Sequence, residues 1–176
     1  MSELQLGIIA GSGLPEIKDL FQDETLELVT PFGRPSGPIF TGTLNGVRVA
    51  FINRHGPGHT LTPNEINYRA NIFALKSFGV EQIIAVSACG SLRDDFAIGD
   101  FVVPDQLFDH THCRERSFFG NGIVTHINVA DPFCRSLSKV LVDSSSQSGR
   151  KVHKSGTYLT IEGTRFSTRA ESNIYR

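Results

Sequence analysis

Ile83-Ile-Ala-Val-Ser-Ala-Cys-Gly-Ser-Leu92 is the stretch that decides how this chain is read. Four apolar residues, three of them β-branched, predict a short strand buried on both faces, the pattern of a parallel sheet. The composition then turns to Ser87, Ala88, Cys89, Gly90 and Ser91. Small residues allow a ligand close to the backbone, and hydroxyls and N–H groups at the carboxyl end of a strand suit an anion. Two readings stand here: a ligand loop at the edge of a parallel sheet, or an ordinary turn of small residues. They separate on whether other strands end in the same way.

Two others do. Leu6 to Ala10 is a short apolar strand that runs into Gly11-Ser12-Gly13, where two glycines permit a tight turn around an oxyanion. It is neither a dinucleotide fingerprint nor a Walker A loop, because no third glycine and no Gly-Lys-Ser/Thr follows. Ile39 to Leu44, Asn45-Gly46 and Val47 to Ile52 predict a β-hairpin with a type I′ turn. Its second strand leads into Asn53-Arg54-His55-Gly56-Pro57-Gly58-His59. Arginine offers a planar fork for phosphate oxygens, and histidine adds a donor that titrates near neutrality. A solvated charged loop is the plainer alternative. Thr30 to Pro38, dense in proline and glycine, is loop or tight turn.

Thr62-Pro63-Asn64-Glu65 predicts a helix start, with Thr62 as N-cap, Pro63 at N1 and Glu65 closing a capping box. Ile66, Ala70, Phe73 and Ala74 supply its apolar face and Gly79 its end. Hairpin, helix and strand then make a crossover onto a parallel partner. Asp100 to Pro104 is another short strand. Asp131-Pro132 repeats the helix-start signal ahead of Leu137, Val140 and Leu141, with Ser144 to Gly149 a surface connection. Gly156 to Ile161 is β-rich, and Ser167 is a candidate cap for a helix containing Ala170, Glu171 and Ile174. His110-Thr111-His112-Cys113 has the look of a metal cluster, but no second ligand pair stands at a matching spacing, so it is taken as a polar loop.

The whole chain bounds the chemistry. With 176 residues, 39% hydrophobic and 20% charged, it is expected to form a single globular α/β domain over residues 1–176. A net charge of −1 gives no footprint for nucleic acid or an acidic membrane, and no apolar run is long enough to span a bilayer. Three widely spaced cysteines without a C-x-x-C pair, and no basic leader, point to a cytoplasmic protein rather than a disulfide scaffold. In an open parallel sheet the carboxyl ends of strands share one edge. Ser12, Arg54, His55 and Ser87 gathered there would surround inorganic phosphate or a phosphoryl group, and phosphorolysis of a bond to a sugar becomes conceivable. Spacing alone goes no further.

The order of motifs adds more. Gly7-Ile-Ile-Ala-Gly-Ser-Gly-Leu14, Thr30-Pro-Phe-Gly-Arg-Pro-Ser36, Arg54-His-Gly-x-x-His59 and Pro63 to Leu75, with Asn67-Tyr-Arg-Ala-Asn71 at its centre, stand in sequence. Ser87-Ala-Cys-Gly-Ser-Leu-Arg93, Ala130-Asp-Pro-Phe-Cys134 and Ile161-Glu-Gly-x-Arg-Phe-Ser-x-Arg-Ala-Glu171 complete the set. Over nearly the whole chain this resembles the methylthioadenosine phosphorylases of the trimeric purine nucleoside phosphorylase family. The resemblance implies a three-layer nucleoside phosphorylase-like fold with a mainly parallel or mixed central sheet. It implies phosphorolysis of 5′-methylthioadenosine or a related purine nucleoside to free base and sugar 1-phosphate, in purine and methionine salvage. Ser12, Arg54, His55, Ser87 and Ala88 would form the phosphate pocket, with Arg54, His55 and Ser87 catalytic. Phe166 and Ser167 would face the purine, and His126 would reach the 5′-alkylthio pocket of a neighbouring subunit. No organic cofactor or metal is implied; phosphate is the co-substrate. The complete protein would be a homotrimer or a dimer of trimers.

Two departures from the family pattern bear on this. Thr164 stands where the family usually has proline. The chain also stops at Arg176, before the family's Met-Thr-x-x-Pro-Glu segment and later aspartates that hold the ribose and the purine. The expectation is therefore a chain truncated before its C-terminal strands and helix, with aminopurine and oxopurine not distinguished. The alternative is an impaired fragment that only binds phosphate or subunits. A nucleotide-binding regulator on the same sheet edge lacks either nucleotide fingerprint.

Overall fold

The computed structural model describes residues 6–11 and 21–176, so Ser12 lies outside the described residues. The backbone forms two compact units: Met1–Cys89 with Glu115–Phe118, and Gly90–Arg114 with Phe119–Arg176.

The first unit is built on a five-stranded sheet in the order β2-β3-β4-β1-β5. Its strands are β1 (Leu6–Ala10), β2 (Phe21–Leu26), β3 (Ile39–Leu44), β4 (Val47–Asn53) and β5 (Gln82–Val86). The sheet is mixed: β2-β3-β4 is an antiparallel meander, while β4 and β5 both run parallel to β1 and flank it. The hairpin forms at the expected residues, with Asn45 (φ 48°) and Gly46 (φ 81°) in the left-handed region a type I′ turn requires. Strand β2 was not expected. Its sequence, Phe-Gln-Asp-Glu-Thr-Leu, lacks alternating apolar residues, and it is a strand because β3 offers an edge, with a register shift between Gln22 and Glu24.

Helix α1 (Tyr68–Ser77) carries the crossover from β4 to β5. It begins later than the Thr-Pro-Asn-Glu signal suggests. Glu65 does accept from the Thr62 N–H (2.9 Å) and Oγ1 (2.8 Å), but that pairing closes an isolated turn. Asn67 is the true N-cap, accepting from the Ala70 N–H. At the far end Gly79 has φ 87°, and the bonds Val80 N–H to Leu75 O and Gly79 N–H to Lys76 O make a Schellman motif. Ala74, Leu75 and Val80 pack against Ile39, Ala50 and Ile52 on one sheet face, while Ile8, Ala10 and Phe51 form the cluster on the other. Leu75 and Ile52 are fully buried, each stabilising the fold by about 1.5–3 kcal/mol. This core fixes β4 and β1 as a rigid platform.

Strand β5 departs from the expectation of burial on both faces. It pairs only with β1 among the described residues, and Val86 is 42% exposed. The apolar run there marks an edge strand, whereas β1 and β4, inside the sheet, hold the buried positions.

The second unit contains two parallel pairs: β6 (Phe101–Val102) with β8 (Val152–His153), and β7 (Gln106–His110) with β9 (Thr157–Ile161). Helix α2 (Arg135–Ser146) starts after Cys134, not at Asp131, whose carboxylate instead pairs with Arg135 at 3.0 Å. Helix α3 (Arg169–Tyr175) is capped by Thr168, one residue beyond Ser167, in a full capping box with Glu171. Among the described residues no helix is long and apolar enough to cross a membrane. Among the described residues no cluster of His, Cys, Asp and Glu could hold a metal ion.

Candidate active site

Three adjacent parallel strands end at the same level. Ala10 pairs with Asn53 on one side and Val86 on the other, so the next residues are Gly11, Arg54 and Ser87. Two more bonds carry the register past the strands, Arg54 N–H to the Ala10 carbonyl (3.0 Å) and Gly11 N–H to the Val86 carbonyl (2.8 Å). Parallel pairing alone has thus brought residues 11, 54 and 87 to one edge.

The side chains then join. Arg54 Nη1 donates to Ser87 Oγ at 2.6 Å, across a sequence separation of 33 residues. Arg54 Nε donates to His55 Nε2 at 3.3 Å. The guanidinium lies over Gly11, where a Cβ would stand 2.5 Å from Nη1, so the glycine is required for this close approach. Ala88 follows Ser87 on the exposed edge. Of the residues expected at the phosphate, Arg54 thus contacts both His55 and Ser87, and Ala88 is next in the chain.

His55 is 8% exposed, and its Nδ1 lies 2.8 Å from the Leu61 carbonyl. A carbonyl only accepts, so Nδ1 carries the proton and Nε2 is left as the acceptor for Arg54. Burial pushes the imidazole below its ordinary value, the Arg54 and His59 charges push the same way, and the Leu61 hydrogen bond opposes them. The ring is thereby held neutral with both nitrogens engaged. Both partners of Arg54 are uncharged, and among the described residues no carboxylate pairs with it. A half-buried guanidinium met, among the described residues, only by neutral groups keeps its charge available to an anion.

Sequence reasoning missed the residues that brace this edge. Asn71, 2% exposed, accepts from the Ser36 N–H (2.8 Å) and donates to Ser36 Oγ (2.9 Å). Asn67 donates to the Phe32 carbonyl at 2.6 Å. The two asparagines tie the Thr30–Pro38 loop to α1, and that loop backs the arginine segment: a Cβ on Gly56 would be 2.9 Å from the Ser36 carbonyl. The motifs around Thr30 and Asn67 are thus two halves of one polar joint, and the signal for it was Asn67 and Asn71 of the second motif, at helical spacing.

The expected purine-side residues belong to the second unit. Phe166 is 90% exposed, His126 is exposed, and Ser167 Oγ lies 2.8 Å from Ser172 Oγ. Of these, Ser167 lines a cleft of about 90 Å³, with His110, Glu162, Arg165, Glu171 and Tyr175 among others. Its charges are mutually compensated: Arg165 makes two 2.8 Å bonds to Glu171, whose carboxyl it holds down at about 2. Glu162 accepts from the backbone N–H groups of His112 and Cys113, which lower it.

A model of the phosphorylase superfamily matches residues 5–176. The chain belongs to that superfamily. Among its relatives, the S-methyl-5′-thioadenosine phosphorylase of Geobacter sulfurreducens is 50% identical over 175 residues, covering 99% of this chain and 61% of that protein. That of Hyperthermus butylicus is 52% identical over 171 residues, covering 97% and 62%. The chain thus spans less than two thirds of the length of these relatives. The fold is that of the solved phosphorylases. A methylthioadenosine phosphorylase from an antarctic soil metagenomic library superposes with a TM-score of 0.93 at 45% identity, over 99% of this chain and 62% of that one. A mutant adenosine/methylthioadenosine phosphorylase of Schistosoma mansoni, solved with methylthioadenosine, also gives 0.93, at 36% identity over 98% and 68%.

Proposed function

We propose that this phosphorylase-superfamily chain carries the phosphate-binding half of a 5′-methylthioadenosine phosphorylase, and that the protein converts the nucleoside and inorganic phosphate to adenine and 5-methylthioribose 1-phosphate. The observation that carries this reading is the Arg54–Ser87 contact at 2.6 Å, at the joined ends of β4, β1 and β5. The relatives named above support the substrate.

In this reading a phosphate oxygen forms the new bond to the anomeric carbon while the electrons of the carbon–nitrogen bond leave with the purine, which takes up a proton. Positive charge develops on the sugar. Arg54 and Ser87 hold the dianion in line beneath it, so catalysis is positioning and electrostatics without a covalent enzyme intermediate. Ser12 and the Ala88 backbone complete the phosphate cradle, Phe166 and Ser167 face the base, and His126 acts in a neighbouring copy of a homotrimer. Phosphate is the co-substrate and no cofactor enters. The superfamily match runs through both units, which supports one phosphorylase domain over residues 1–176. Three free cysteines suit a reducing compartment, the cytoplasm.

The protein incubated with 5′-methylthioadenosine is expected to release adenine only when phosphate is present, with one sugar 1-phosphate per base. Adenine release that ignores phosphate, or none at saturating phosphate, would overturn the reading. Light scattering of the same preparation tests the trimer.

A further inference from the structure

One residue of the arginine segment has been given no role so far. His59 is a non-glycine residue with φ 58°, in the left-handed region, and it follows two glycines at positive φ, Gly56 (75°) and Gly58 (67°). This unusual backbone lays the His59 ring flat on that of His55, with centroids 4.2 Å apart and planes 22° from parallel. His59 is exposed, and the ring beneath it is buried. His55 in turn accepts from Arg54 Nε, and Arg54 from its other side reaches Ser87. A continuous series of contacts therefore runs from the surface to the anion edge: His59, His55, Arg54, Ser87.

We propose that His59 is a positioning residue for anion binding: its ring, stacked on His55, keeps His55 in the uncharged Nδ1–H form whose Nε2 holds the Arg54 guanidinium at the strand ends.

The chemistry is directional. Nδ1 is committed to the Leu61 carbonyl, so a second proton must go to Nε2. Protonation there replaces an acceptor with a donor and sets a cation against the guanidinium at 3.3 Å. Arg54 then loses the contact that aims it. Among the described residues the groups that face His55 are Arg54, His59 and the Leu61 carbonyl. Burial is the foremost influence keeping the proton off, and His59 supplies cover as well as charge. Because the neutral form is favoured in the folded protein, the aimed arginine persists at neutral pH and is lost as pH falls through the His55 midpoint.

This inference rests on the proposed phosphate site, and two independent readouts keep the two apart. The first is ¹⁵N NMR of histidine-labelled full chain, which reports the His55 tautomer and midpoint with no ligand present. The second is calorimetric binding of inorganic phosphate to wild type, His59→Ala and His59→Phe between about pH 5 and 8, the range over which histidine titrates. Phosphate's own ionisation falls in this window but is common to all three, so differences between variants are what count. In wild type the Nδ1–H tautomer is expected at neutral pH. His59→Ala raises the His55 midpoint and weakens phosphate binding by about threefold or more at the acid end, with little change at the alkaline end. His59→Phe keeps the stack but not the charge and restores part of the wild-type profile. An unchanged midpoint in His59→Ala, or a loss equal at every pH, overturns the proposal. Should wild type bind no phosphate at any pH, the phosphate reading falls, while the NMR midpoints still decide whether His59 governs His55.

Discussion

Arg54 and Arg165 both stand just beyond the end of a parallel strand, yet the groups that meet them differ in kind. Arg54 is held by a hydroxyl and a neutral imidazole. Arg165 is matched oxygen for nitrogen by the Glu171 carboxylate. A bidentate arginine–carboxylate pair satisfies its own charge and has little to offer an incoming anion. A guanidinium fixed by uncharged partners keeps its charge for a ligand. Polar strand ends are thus not equivalent, and the partner of the cation, rather than its presence, separates a cation left open to a ligand from a structural ion pair.

The strongest way to break this comparison is to remove Arg54, the cation that no described carboxylate pairs with. Arg54→Ala is expected to lower kcat/KM for phosphate by about 10²–10³-fold, and Arg54→Lys to recover only part of it, since a point charge cannot replace the planar fork. Retention of near wild-type phosphate dependence by Arg54→Ala would erase the distinction.

The second contrast is between helices. Leu75 of α1 is fully buried beneath the sheet, whereas α2 has no buried residue and its Val140 is 57% exposed. Leu75→Ala should cost about 2–5 kcal/mol in urea unfolding, and Val140→Ala should stay within about 0.5 kcal/mol. Equal effects would show that the α1 core does not support the platform.

A subtler probe leaves Arg54 in place and displaces it. Gly11→Ala puts a Cβ within 2.5 Å of Nη1, so the guanidinium must move off Ser87. Losing one such charge-assisted contact is expected to weaken phosphate binding roughly 10–100-fold by calorimetry, with the Tm changed far less than in Leu75→Ala.

The smallest effect belongs to the compensated arginine. Arg165→Ala should leave phosphate affinity unchanged while the Glu171 carboxyl, held at about 2 chiefly by Arg165, rises toward its ordinary value of 4.5. The sign follows from a lowered folded value: this pair stabilises above the unfolded carboxyl's midpoint, and its contribution is lost as pH falls toward 2. Carboxyl ¹³C titration of the variant checks it. A marked loss of phosphate affinity would place the anion at the wrong arginine.

What could be read from the sequence follows from how local each feature is. β1, the hairpin and β5 were legible because their apolar runs and the Asn45-Gly46 turn carry their own instructions. β2 was not, since its strand character comes from β3. Helix starts were misplaced at Thr62, Asp131 and Ser167 because several consecutive residues can cap, and tertiary contacts choose among them. The meeting of Arg54 with Ser87 was anticipated from strand ends. The neutral state of His55 was not, because it depends on burial and on a carbonyl six residues ahead.

Diffraction from crystals grown with inorganic phosphate tests the central claim most directly. The account predicts the anion at the ends of β4, β1 and β5, with its oxygens within hydrogen-bonding distance of the Arg54 guanidinium and Ser87 Oγ. Phosphate bound instead beside Arg165, or an occupied site in which Arg54 has turned away from the anion, would contradict it.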